Sequence, residues 1–173
     1  MPTAVDLRTA REAVVREHME SENRHEFDVT LGTFGHPRYE IIPTGDVFDG
    51  EAEVMAYFDE SRTAFPDQRN RLIALHHADD AIIVEFELMG THRGPFRGLP
   101  PTGRAFANRT LAIFAFAEGT DRIVCERVYF DSAAILRQLG IAHDPLTLRG
   151  RIATVVNHPV TIGRAVVRQL MGR

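Results

Sequence analysis

The chain has 173 residues, 44% hydrophobic and 25% charged, with 20 basic against 24 acidic side chains and a formal net charge of −4. That length suits one domain with a real core. The acidic balance lacks the clustered positive charge that nucleic-acid binding rests on, and no apolar run nears the roughly eighteen residues of a membrane span. The N-terminal segment becomes charged almost at once, without the apolar stretch of a secretion signal, and the single cysteine, Cys125, has no partner for an internal disulfide. Both observations point to a cytoplasmic protein. Every basic residue is arginine and none is lysine, which reads as codon bias.

In chain order, Leu7, Ala10, Val14, Val15, His18 and Met19 recur at helical spacing and predict a first amphipathic helix over 6–22. A shorter helix over 25–33 ends at Gly35 and Pro37. A strand is expected over 39–42. The segment PTGDVFDG is turn-rich, and Asp49 is the expected cap of a third helix whose stripe is Val54, Met55, Tyr57, Phe58 and Phe65 before Pro66. Strands broken by turns follow, at roughly 71–78, 81–92, 104–116 and 122–131, then a closing helix in SAAILRQLG with Ser132 as its cap. Helices first and a meander of strands afterwards argue for an α+β fold. Beyond Asp144 every charged residue is an arginine, and PVTIGRAVVRQLMG reads as a basic amphipathic helix, suited to packing on the domain or a dimer partner, or to a membrane surface.

Period-two alternation separates the two faces of the sheet. Val84, Phe86 and Leu88 share one face with Phe106, Asn108, Thr110, Ala112 and Phe114, and with Val124, Glu126, Val128 and Phe130. The other face carries Glu85, Glu87, Arg109 and Arg127, which suit cross-strand pairing and a homodimer surface. Asn108 and Glu126 are the polar exceptions on the apolar face. A carboxylate turned toward an apolar hollow is desolvated and its pKa rises, as a general acid or base requires, so Glu126 is the candidate proton shuttle. Asn108 and His92, the latter at a strand end beside the loop GPFRGLPPTG, are placed to polarise a substrate. His18 lies on the inward stripe of the first helix, as a core histidine or a ligand contact. Tyr39, Tyr57, Phe58, Phe86 and Val128 are expected pocket walls. No metal is expected, since the adjacent His76 and His77 point to opposite faces of a strand. Cys125 faces away from the hollow with no base beside it, and no phosphate-binding glycine loop occurs.

The segments GTHRGPFRGLPPTGR at 90–104, the strand through FAFAEG, and RIVCERVYFDSAAILRQLG at 122–140 resemble the SnoaL-like polyketide-cyclase family, within the nuclear transport factor 2-like superfamily. The resemblance covers roughly residues 6–140. It implies a cone, in which a curved antiparallel sheet wraps around N-terminal helices and encloses an apolar pocket for a hydrophobic ring compound, commonly in a homodimer and without metal or cofactor. It also implies an aspartate in the last strand and a histidine in the strand before as acid and base. Counted from Asp131, those positions fall on Val128 and Ala112 here, and neither side chain moves a proton. The superfamily also holds ketosteroid isomerases and epoxide hydrolases, so the fold alone does not set the reaction.

The resulting expectation is a cone domain over 1–140 and an arginine-rich helical extension over 141–173. Two functions follow from it: a cofactor-free cyclase, isomerase or lyase acting on a polyketide-like or other lipophilic carbonyl compound, or a dimeric protein that binds or senses such a compound without turning it over.

Overall fold

The computed structural model describes residues 4–172. Helix α1 (Ala4–Arg24) and the short α2 (Phe27–Leu31) precede strands β1 (Arg38–Ile41) and β2 (Asp46–Asp49), and α3 (Glu51–Ala64) leads into β3 (Arg69–His77), β4 (Ala81–Thr91), β5 (Ala105–Phe116) and β6 (Ile123–Phe130). The chain ends in α4 (Ser132–Gln138), α5 (Leu148–Asn157) and α6 (Pro159–Met171). The six strands form one curved, unclosed sheet in the order β2-β1-β6-β5-β4-β3. No helix among the described residues is long and apolar enough to cross a membrane.

The expected turn PTGDVFDG contains strand β2, which pairs antiparallel with β1. Strand β1 in turn lies parallel to β6, so the expected all-antiparallel sheet has one parallel pairing. Long-range pairing of this kind leaves no local signal. Asp49 does not cap α3. It ends β2, where its carboxylate takes Arg38 and His36, and Gly50 starts the helix at φ +97°, a conformation that favours glycine. Likewise Asp131, not Ser132, caps α4, its Oδ1 accepting the amide of Ala134 at 2.9 Å.

The register of β4 against β5 puts Val84 opposite Ala112 and Phe86 opposite Thr110, and these side chains turn inward with Phe106, Asn108 and Phe114. Val15 and Met19 of α1 and Val54 and Phe58 of α3 meet Val84, Phe86, Ala112 and Phe114 in one apolar core, and Phe106 packs in a second with Phe65 and Leu139. Each such large side chain contributes about 1.5–3 kcal/mol by leaving water. The parity holds along β6 from Glu126 onward and fails before it. Pairing steps from Ala115 opposite Cys125 to Phe116 opposite Ile123, so Val124 is an extra, bulged residue and lies exposed while Ile123 takes the buried place. On the outer face Glu85 meets Arg109 at 2.7 Å, Glu87 meets Arg71 at 2.7 Å and Glu40 meets Arg127 at 3.0 Å. Cys125 is buried on that outer side, where burial and the neighbouring Glu40 charge push its thiol up.

A buried polar cluster beside an apolar cavity

Two turns of sequence logic bring four polar side chains together. His18 and Glu22 are one helical turn apart on the inward face of α1. Tyr39 on β1 and Glu126 on β6 are partners in the parallel register. All four are buried, Glu126 with only 4% of its surface exposed. His18 Nε2 lies 2.8 Å from the Tyr39 hydroxyl, 3.1 Å from Glu126 Oε2 and 3.7 Å from Glu22 Oε1.

The hydrogen-bond chain assigns the protons. Thr33 Oγ1 donates to the carbonyl of Thr30 at 2.6 Å, so toward His18 it accepts from Nδ1–H at 2.9 Å. Tyr39 donates to Glu22 Oε1 at 3.1 Å and therefore accepts from Nε2–H. His18 thus donates from both nitrogens as an imidazolium. Burial opposes that charge, but Glu126 and Glu22 outweigh it and raise the His18 pKa to about 9. The two carboxyls diverge. Burial raises Glu126, and its Oε2, although near His18, has no aligned hydrogen bond. Burial also acts on Glu22, but His18, the charge of Arg62 and the Tyr39 hydroxyl hold it below the usual carboxylate range, and Asn70 Nδ2 donates to it at 2.6 Å. Environments that separate two carboxyls in this way are the pattern of an acid and base pair.

Next to this cluster lies a cavity of about 210 Å³ between α3, α4, the 93–103 loop and the inner face of the sheet. Its walls include Phe65, Leu88, Phe96, Phe106, Ile135 and Leu139. Arg97 stands at its edge in a left-handed conformation (φ +46°), and its guanidinium holds Asp46 at 2.6 Å, tying the loop to the start of β2. Polar groups on the wall include Tyr57, Ser61 and Gln68, of which Ser61 donates to Gln68 Oε1 at 2.8 Å. Tyr57 joins the two regions. It lines the cavity, its ring centroid is 5.8 Å from that of Tyr39, and burial with the charges of Glu22 and Glu126 pushes its hydroxyl above the ordinary range, which keeps it a donor. That hydroxyl makes no hydrogen bond to another described residue.

Of the candidate catalytic and binding residues, Tyr57 alone lines the cavity, together with Leu88, Phe106 and Phe130 of the expected apolar sheet face. His18, Tyr39 and Glu126 come together behind it, and Phe58, Phe86 and Val128 are buried in the core without lining the cavity. His92 does not border a pocket mouth: it is fully buried against Phe65, with Nδ1 at 3.3 Å from Thr102 Oγ1 and Nε2 unpartnered. Asn108, opposite Leu88 in the register, is buried without lining the cavity; it donates to the carbonyl of Asp131 at 3.1 Å and leaves its Oδ1 unpartnered. Ala112 and Val128 face each other across β5 and β6, both buried. Sequence reasoning missed Glu22, whose spacing of four from His18 was the available signal. It also missed that one ligand atom each from His18, Glu22 and Glu126 lies within 4.8 Å of the others, a spacing a divalent cation can bridge. These three groups also satisfy one another as ions. His76 and His77 form no such group, since His77 takes Glu12 at 3.2 Å and His76 is exposed.

A fold of this kind is shared with several solved structures. A proposed SnoaL-like polyketide cyclase from Jannaschia sp. CCS1 is 20% identical over 79% of this chain and 94% of its own, with a TM-score of 0.69. IdmH, a proposed polyketide cyclase from Streptomyces antibioticus, is 22% identical over 75% and 98%, with a TM-score of 0.64. A protein with a ketosteroid isomerase-like fold from Catenulispora acidiphila DSM 44928, solved with trimethylamine, is 14% identical over 74% and 92%, with a TM-score of 0.62. At these identities the likeness speaks to the fold. No curated protein matches the chain. The sequence profile of the SnoaL-like polyketide cyclases matches residues 12–139, which takes in the sheet, most of α1, helices α2 to α4 and most of the cavity wall, and the chain therefore belongs to that family.

Proposed function

We propose that the protein binds a small hydrophobic ring compound carrying a carbonyl group in the cavity beside Tyr57. The observation that carries this is an apolar cavity with the unbonded, firmly protonated hydroxyl of Tyr57 on its wall. Size limits the ligand. A cavity of about 150 Å³ holds benzene, and drug-sized ligands need about 300 Å³ or more, so 210 Å³ suits one or two rings. Binding to a panel of one- and two-ring aromatic ketones, followed by calorimetry, tests it. Tyr57→Phe is expected to weaken binding about five- to tenfold, the worth of one hydrogen bond of about 1 kcal/mol. Leu139→Trp, which fills the cavity, is expected to abolish it. Unchanged binding in both variants removes the cavity from the account.

A second reading, cofactor-free proton transfer by Glu126, is favoured by its unpartnered Oε2 beside the cavity wall and the raised pKa that burial gives it. The apolar pair Ala112 and Val128 favours binding without turnover. Glu126→Gln separates them: retained binding with loss of a cyclisation or isomerisation activity supports catalysis, and an unchanged variant leaves the binding protein. The proposal includes a homodimer through the outer sheet face, where Glu85, Glu87, Arg109 and Arg127 lie beside the part-exposed Leu111 and Tyr129. Arg109→Glu with Arg127→Glu is expected to shift sedimentation toward the monomer. A mass unaffected by this double reversal rejects that face.

A further inference from the structure

The last two helices are unlike the rest of the molecule. All 24 acidic residues lie at or before Asp144, and the charged residues beyond it are five arginines. Among the described residues, every large apolar side chain more than half exposed lies between 146 and 171, among them Leu148, Val156, Val160, Leu170 and Met171. α5 and α6 pack against each other and make no comparable contact with the sheet or the other helices. They also lie beyond the residues that the family profile matches.

The residues sort sharply by face. On α6, Ile162, Val166 and Leu170 recur every four residues, flanked by Val160, Val167 and Met171, while Arg164, Arg168 and Thr161 share the opposite side. On α5, Leu148, Ile152, Val155 and Val156 form a stripe with Arg149 and Arg151 at its two edges. Arg149, Arg151, Arg164 and Arg168 have no carboxylate partner among the described residues. At about 1.5 Å per residue, the thirteen residues of α6 are far too short to span a bilayer but long enough to lie in its surface.

We propose that α5 and α6 form an interfacial anchor that lies in an anionic lipid surface, its valines and leucines in the acyl boundary and its arginines among the head groups. The charge pattern favours lipid over a second copy. Pairing these helices with their counterparts in another chain sets arginine against arginine, and the rest of the surface shows only part-exposed apolar side chains to receive them. An anionic bilayer meets both needs at once. It also orients the molecule, because the remainder, with 24 acids against fifteen arginines, is repelled from the same surface.

The test is co-sedimentation of the full chain with vesicles of phosphatidylcholine containing about 30% phosphatidylglycerol, against phosphatidylcholine alone. The anionic vesicles are expected to bind at least tenfold more tightly, and roughly 0.5 M salt to remove most of that difference. Arg164→Glu with Arg168→Glu is expected to weaken binding at least 25-fold, about fivefold or more for each reversed charge. Leu170→Asn with Val160→Asn is expected to weaken it comparably. These positions are solvent-facing, and an unchanged circular dichroism spectrum verifies the fold. Equal binding to both vesicles, or none, overturns the proposal. So does a self-association in light scattering that the Leu170→Asn and Val160→Asn pair abolishes while vesicles are ignored, which assigns the face to a second copy.

Discussion

Replacing His18 by leucine is expected to destabilise the protein by about 3–5 kcal/mol, the cost of removing one partner from a buried ion network. The leucine fits the volume but leaves Glu126 and Glu22 as buried carboxylates with no cation between them, and it strips the Tyr39 hydroxyl and Thr33 Oγ1 of a donor. Chemical denaturation of both proteins measures the loss. Two controls show which feature is responsible. Arg109→Ala breaks an exposed pair and is expected to cost no more than about 1 kcal/mol. Glu126→Gln keeps the shape and leaves Glu22 as the counter-charge of His18, and is expected to cost less than His18→Leu. A His18→Leu loss below about 1 kcal/mol shows that the four side chains are not coupled as described.

The second large effect is on pH. The folded pKa of His18, about 9, exceeds the ordinary value of 6.5 that it regains on unfolding. A group whose folded pKa is raised contributes stability that is complete below the unfolded value and disappears as pH rises through the folded one. Stability is therefore expected to fall between pH 6.5 and 9, by about 3 kcal/mol in all. Glu126, raised by burial, acts in the same sense but from a lower start, its share of stability being lost as pH rises above the ordinary carboxylate value of 4.5. Glu22 acts in the opposite sense: its folded pKa is depressed, so its share of stability is lost as pH falls below the ordinary carboxylate range. Thermal midpoints across pH 5–10 should be highest on the acid side of neutrality and decline between about pH 6.5 and 9. In His18→Gln the alkaline decline should be much reduced. A wild-type midpoint that stays level from pH 6.5 to 9 removes the imidazolium.

The family relation sharpens what these measurements decide. Its implied acid and base positions are occupied here by Ala112 and Val128, which pack face to face across two strands. Under that correspondence, any proton transfer in this chain would rest on a different set of side chains. The buried group built on α1 holds the His18 imidazolium between two carboxyls with unlike proton affinities, one tyrosine away from an apolar cavity.

Much of this was legible in the chain itself. Alternation of apolar and polar residues set the inward face of β4 and β5, because side chains of a strand alternate whatever lies around them, and it turned Phe86, Asn108 and Glu126 inward as found. The helical stripe of α1 did the same for His18. The tertiary structure decided what depends on residues far apart in sequence: the parallel pairing that sets Tyr39 beside Glu126, the bulge that turns Val124 outward, the extra strand within PTGDVFDG, and the packing of His92 behind Phe65 instead of at a pocket mouth. Which polar groups share a proton is likewise a matter of a few ångströms across α1, β1 and β6, and no spacing along one element records it.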